Sequence, residues 1–217
     1  QYPAAFPKGF NEFYIMKYEL SREGYVEYLN TLSRAQQNLL DGNNSTVFDN
    51  LQTHISLSQQ LGMGLDATAT DVSTPIVFSC DDNNNDVLNE YNDGQCIAAT
   101  TWFNLNTLLY LDWAALRPMT AFEYQKACRG PGIPVQGEYA WGTATYTLVD
   151  TNVAITNKGA ANETYSSNFN GPMIGYENIR RCGIFAKPSG SNRLNTGGTF
   201  YGVMEMSGNA WEWAATA

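Results

Sequence analysis

Tyr201-Gly-Val-Met-Glu-Met-Ser-Gly-Asn-Ala-Trp-Glu-Trp213 is the stretch whose reading decides the fold of this 217-residue chain. Two tryptophans flank a glutamate, and Gly208-Asn209 stands just before them. A tryptophan removes a large apolar face from water on burial, so Trp211 and Trp213 are expected in a core.

Working outward, Thr120-Ala-Phe-Glu123 is a capping box, in which threonine accepts from the third helical amide and glutamate reaches back to the cap amide. The helix it opens carries Phe122, Tyr124, Ala127 and Cys128, and Gly130-Pro131 ends it. A second helix is expected over about Asn104–Ala115, with Leu105, Leu108, Leu109 and Leu111. Phe13–Leu20 mixes aromatic and branched residues and reads as a strand. Ser21 then caps a helix whose Tyr25, Leu29 and Leu32 share a face and which runs to about Leu40. Residues 41–75 read as an irregular insertion, closed by a short strand over Thr74–Ser79. Residues 132–200 hold many Gly, Asn and Ser with scattered short strands. No repeat or linker interrupts the chain, so residues 1–217 read as a single domain.

Length permits a substantial core without obligatory disulfides. Charged residues make up only 15% of the chain, which suits a loop-rich exported domain. The formal charge of −9 removes the basic stripe that nucleic acid requires, and it disfavours anionic membrane surfaces. No apolar run reaches the ~18 residues of a membrane span, so membrane insertion is not expected. Gln1 opens the chain without a methionine, as a processed, secreted or cell-surface protein would. The same acidic excess fits solubility or cation binding.

Cys80 and Cys96 bracket a loop very rich in Asp and Asn. Counting from Asp82, oxygen-bearing side chains fall at the first, third and fifth positions (Asp82, Asn84, Asp86), with Glu90 at the ninth and Asp93 at the twelfth. That is the ligand spacing of an EF-hand-like calcium loop, although Val87 replaces the turn glycine and Asp93 is shorter than the usual glutamate. The alternative is a solvated Asn-rich turn. A Cys80–Cys96 bridge would close the loop and stabilise the fold by about 3 kcal/mol; two free thiols are the alternative expected of a cytosolic protein. Cys128 and Cys182 are either free or a second bridge, and Cys182 sits in Arg180-Arg-Cys-Gly183, where arginines favour a thiolate. Asn43, Asn44 and Asn162 lie in N-x-S/T patterns that mark exposed loops. His54 is expected to be a surface residue, and Gly190, Gly197 and Gly198 lie in loops with no following helix, so no phosphate loop is read there.

Four ordered blocks carry a resemblance. They are Phe13–Leu32 with its Tyr25-Val-Glu-Tyr-Leu-Asn30 helix, Leu116-Arg-Pro-Met-Thr-Ala-Phe-Glu-Tyr-Gln-Lys-Ala-Cys-Arg-Gly130, Glu138-Tyr-Ala-Trp-Gly142 and the terminal Tyr201–Trp213 segment. Together they resemble the formylglycine-generating enzyme (sulfatase-modifying factor) family. The resemblance implies an α+β, C-type-lectin-like fold with short twisted strands, about three helices and much irregular loop. It also implies a structural calcium to which Asn209 and Glu212 contribute oxygens, with backbone groups and water completing the shell. The family's oxidases place a redox cysteine pair beyond the Trp-Glu-Trp motif, together with further strand segments. The given chain is therefore expected to be C-terminally incomplete, and none of its four cysteines inherits the catalytic position.

Two functions follow as expectations. The first is a non-catalytic, calcium-stabilised bacterial surface module for binding, adhesion or assembly, with a protein, a glycan or another copy of itself as partner. The second is a copper-dependent oxidase that converts a sulfatase cysteine to formylglycine, its cysteines lying in a further segment.

Overall fold

The computed structural model describes residues 3–40, 63–65, 73–83, 85, 87–88, 90–100, 104–146, 155–165, 179–187 and 192–216. Most of the expected insertion over 41–75, with His54, Asn43 and Asn44, lies outside them, as does Gly190. The elements in chain order are α1 (Arg22–Asn30), α2 (Arg34–Leu39), β1 (Met63–Leu65), β2 (Phe78–Cys80), α3 (Asn104–Trp113), β3 (Met119–Thr120), α4 (Ala121–Arg129), β4 (Ile155–Thr156), β5 (Thr164–Tyr165), α5 (Arg193–Thr196) and β6 (Ala214–Ala215). This is a mixed α/β chain with five helices among the described residues and very short strands, where about three helices were expected. Contacts group it into two compact units: Leu20–Arg117 with Asn157–Thr164, and Gln1–Glu19 with Pro118–Thr156 and Tyr165–Ala217.

In the unit built from Leu20–Arg117, the single helix expected from Ser21 to Leu40 is two. Ser21 Oγ accepts from Gly24 N at 3.2 Å to start α1, which stops at Thr31. Ser33 then makes its own capping box: its hydroxyl faces Gln36 N, and Gln36 Oε1 takes Ser33 N at 2.9 Å. A second cap inside an apolar periodicity restarts the helix instead of extending it. The core of this unit is Tyr25, Val26, Tyr28 and Leu29 of α1 packed with Ile76, Phe78, Cys80 and Tyr110. Tyr28 meets the rings of Tyr110 and Trp113 at 5.6 and 5.3 Å between centroids.

Side-chain amides complete this core. Asn30 pairs with Phe78 as a strand neighbour would, accepting from its N–H at 2.8 Å and donating to its carbonyl at 3.0 Å. Gln37, 1% exposed, donates to the carbonyls of Leu29 (3.1 Å) and Ile76 (2.9 Å) and accepts from Ile76 N (2.9 Å). β1 and β2 run antiparallel with Gly64 opposite Ser79. Residues 157–164 seat against the acidic loop: Gly94 N donates to Gly159 O at 2.9 Å, and buried Glu163 accepts from Gly159 N at 2.8 Å. Gly159 has φ +81°, and a Cβ there would lie 2.4 Å from Asn92 O. Gly159→Ala therefore meets both left-handed strain and a backbone clash, and should lower stability by about 2–3 kcal/mol in a urea titration. A loss below 1 kcal/mol would show that the loops part easily.

The second unit is organised on α4. Its capping box has the expected geometry, with Glu123 N donating to Thr120 Oγ1 at 3.2 Å and Thr120 N to Glu123 Oε2 at 2.9 Å. β3 leads directly into it and pairs parallel with β6, Met119 opposite Ala214. Ala127, Cys128, Ala140, Val203 and Met206 form the core, with Phe13 and Ile15 packed on it. Phe13–Leu20 is thus not the strand expected. It keeps the strand's alternation over its first four residues, with Phe13 and Ile15 packed and Tyr14 and Met16 exposed, but it lies in no ladder, and Lys17 O accepts from Met204 N at 2.9 Å.

Arg193 opens α5, the short helix that follows the 188–191 region where none was expected. Its guanidinium donates to Ala140 O (2.8 Å) and Cys128 O (3.1 Å) and lies over the Phe200 ring at 5.9 Å. Replacing Arg193 by alanine removes the donor of Ala140 O, while Cys128 O keeps Phe200 N at 3.1 Å, and should cost about 2 kcal/mol in the same titration. Arg193→Lys should recover only part of it, because a lysine has no Nε donor for Gly198 O and no planar guanidinium to lie over Phe200.

Candidate functional site

The quoted segment builds a carboxylate cluster in the second unit. Glu205 and Asn209 both sit in the left-handed region, at φ 58° and 59°. Asparagine tolerates that conformation; glutamate does so only when its surroundings hold it there. Glu205 is held by its side chain, whose Oε2 accepts from Gly183 N at 3.0 Å. Gly183 is itself at φ +70°, with the Tyr18 ring where a Cβ would stand.

Asn209 is a clasp. Its Oδ1 accepts from Arg180 N at 2.8 Å, while its Nδ2 donates to Arg180 O and to Glu19 Oε2. The other oxygen of Glu19 takes Ala210 N at 2.8 Å. Glu212 faces inward between the two tryptophans. Its Oε1, like Glu205 Oε1, is shielded from solvent and has no hydrogen-bond donor. Burial drives all three carboxyls upward: Glu19 to about 8, Glu205 to about 7 and Glu212 to about 8. The Ala210 and Asn209 donors oppose the rise at Glu19 while the charges of Glu205 and Glu212 add to it, and Glu205 likewise raises Glu212.

Sequence reading singled out Asn209 and Glu212 but missed Glu19 and Glu205. Both misses are acids inside apolar runs, Tyr18-Glu-Leu20 and Met204-Glu-Met206, and a charge in such a run is the signal that marks a buried carboxylate. The expectation that Trp211 and Trp213 are core is overturned, since they are 87% and 58% exposed. Extended alternation sends Glu212 to the interior and both indoles outward.

The oxygens of this cluster that a calcium ion would have to use are Glu205 Oε1 and Glu212 Oε1, which have no hydrogen-bond donor. Asn209's oxygen is already held by Arg180 N. Among the described residues no three His, Cys, Asp or Glu side chains converge within reach of one metal, so backbone carbonyls and water would have to fill the remaining positions.

The acidic loop is arranged differently from its sequence reading. Asn84 and Asp86 lie outside the described residues. Asp82 is paired with Arg22. Asp93 is fully buried and accepts from Asn83 Nδ2 at 2.9 Å and from Glu90 N, and burial raises its pKa. Glu90 Oε2 takes the amides of Asn85 (2.7 Å) and Asn83 (3.3 Å). Each of these carboxylates already has a donor, and the loop is closed by its own amides.

No disulfide joins Cys80 to Cys96 in this structure. Cys80 belongs to the interior of β2, and backbone bonds such as Asp82 N to Asp93 O (3.1 Å) join the ends of the loop instead. Burial raises the Cys80 thiol to about 12 and the Cys128 thiol to about 11, the latter beside the Tyr124 hydroxyl. Neither is a ready thiolate. Cys182 is half-buried and precedes Gly183, whose N–H Glu205 takes. A shallow groove along the end of α4, lined by Gln125, Lys126, Arg129 and Gly130, has both its cations committed: Lys126 to Asn11 O at 2.8 Å and Arg129 to Glu138 at 2.9 Å. Among the described residues no helix is long and apolar enough to cross a membrane.

Compared with known proteins, the chain matches one family model, the sulfatase-modifying factor enzyme 1-like domain, over residues 5–217. No curated protein and no solved structure matches it.

Proposed function

The chain belongs to the family of sulfatase-modifying factor enzyme 1-like domains, and within that family we propose that it is a non-catalytic binding module on a C-type-lectin-like scaffold, calcium-stabilised and secreted or displayed at a bacterial cell surface. The observation that carries this reading is the outward face of the terminal segment, where Trp211 and Trp213 stand exposed on either side of an inward glutamate. Large exposed aromatics of this kind mark contact surfaces, and indoles dominate the energetics of many interfaces. The partner is a protein, a glycan or a second copy of the chain. An acidic chain of formal charge −9 is a poor partner for nucleic acid.

Burial keeps Cys80 and Cys128 from serving as the accessible thiolates that copper chemistry needs. Export rests on the loop-rich, charge-poor composition. Family membership favours the second reading, a formylglycine-generating oxidase whose copper is held by cysteines outside this chain. The deciding experiment incubates the natural full-length protein with copper, oxygen and a cysteine-bearing sulfatase peptide, and follows the peptide by mass spectrometry. An unchanged peptide is expected; conversion of its cysteine to formylglycine would overturn the binding-module reading in favour of the oxidase.

A further inference from the structure

We propose that Arg34 is an oxyanion-binding residue of the unit built from Leu20–Arg117, with a carboxylate or phosphate-type group as its ligand. Arg34 is 4% exposed, and its Nε and Nη1 are shielded from solvent with no acceptor. The nearby polar groups are already engaged. Gln37, three residues on, is taken by Leu29 and Ile76, and Ser33 by the capping box with Gln36. Among the described acids of this unit, Asp82 is paired with Arg22, Asp93 with Asn83 and Glu90 N, and Glu163 with Gly159 N.

A guanidinium is not relieved by losing its proton, so a buried one must meet an anion or carry a heavy desolvation penalty. Arg34 stands at the start of a helix whose other interior side chain is neutral, with Leu32 and Leu40 packed on the adjoining core. A fixed cation in such apolar surroundings selects strongly for an oxyanion, whose lone pairs match several N–H donors at once.

The test compares melting temperatures in sodium phosphate, sodium formate and sodium chloride at equal ionic strength. A ligand at about a hundred times its Kd should raise the melting temperature by roughly 5–10 °C over chloride. The rise should saturate with concentration and vanish in Arg34→Met. Formate acting alone identifies a carboxylate ligand; phosphate acting alone identifies a phosphoryl one. No rise over chloride, or an equal rise in Arg34→Met, overturns the proposal. Should Arg34→Met fail to fold, the 15N resonance of the Arg34 Nε in the wild-type protein decides. It is assigned by its loss in Arg34→Lys, and a resonance unmoved by both anions overturns the proposal.

Discussion

In chelator, the stability of the protein should fall by about 5 kcal/mol between pH 4.5 and pH 8, as the buried carboxyls of Glu19, Glu205 and Glu212 are forced to ionise. Folded-state values of about 8, 7 and 8 stand above the ordinary 4.5 of an exposed glutamate. Across this window the native state therefore holds protons that the unfolded chain has released. Stability is greatest below pH 4.5 and is lost as pH rises through the folded-state values. The three groups feel one another, so their separate contributions do not simply add, and the figure is close to that of one fully shifted group.

Calcium should flatten this dependence. An ion on Glu205 and Glu212 stabilises their ionised forms, so it should restore stability at pH 8 and do almost nothing at pH 5. Glu212→Gln, which keeps the shape and removes the ionisation, should be more stable than wild type at pH 8 in chelator and should lose part of the calcium response. The measurement is a set of urea titrations at pH 5, 6.5 and 8, each with calcium and with chelator. A stability that is level with pH in chelator would show that these carboxyls are hydrated. A pH-dependent loss that calcium leaves untouched would remove calcium from the account and keep the protonated cluster.

Gln37→Leu should cost about 3–5 kcal/mol. The leucine matches the glutamine in size, but it leaves the buried amide and carbonyl of Ile76 without the bonds they make in the wild type, while Leu29 O keeps Leu32 N. The bonds join α1 and α2 to the segment entering β2, so the loss should appear as looser exchange protection of the Phe78 and Cys80 amides as well as a lower melting temperature. Gln37→Glu separates packing from hydrogen bonding, since it keeps an acceptor for Ile76 N and lacks the donor for the two carbonyls. If Gln37→Leu costs less than 1 kcal/mol, water reaches these groups and the interior is more open than its 1% exposure implies.

Local signals that a few residues fully determine were legible in the sequence. The Thr120–Glu123 box and the Ser21 cap start their helices where expected, because a hydroxyl three residues from an amide is a short-range fact. Ser33 was passed over because the apolar spacing of Tyr25, Leu29 and Leu32 continues toward Leu40. The restart lies in the Ser33–Gln36 pair, a pattern present in the sequence. The helix expected to reach Ala115 stops at Trp113, with Ala115 turned to φ 55°, which no side-chain pattern announces.

Partnership across distance was not legible. Glu19 meets Ala210 from 191 residues away, and Arg193 meets Cys128 from 65. The EF-hand spacing of the acidic loop is a pattern of side-chain identity only. In the fold, Asn83 donates to Asp93 and Asn85 to Glu90. The tryptophans were misjudged for a related reason: hydrophobic content favours burial on average, but the direction of alternation around Glu212 is set by the carboxylate cluster it joins.

Each compact unit contains one fully buried thiol, Cys80 in one core and Cys128 in the other, both raised well above the ordinary range. Such thiols react with an alkylating reagent only when the core around them opens. The unmodified protein thus carries two built-in clocks. The rate at which each cysteine becomes labelled, read by peptide mass, gives a separate opening free energy for its unit, so whether the halves of this chain melt together or apart can be timed without changing a residue.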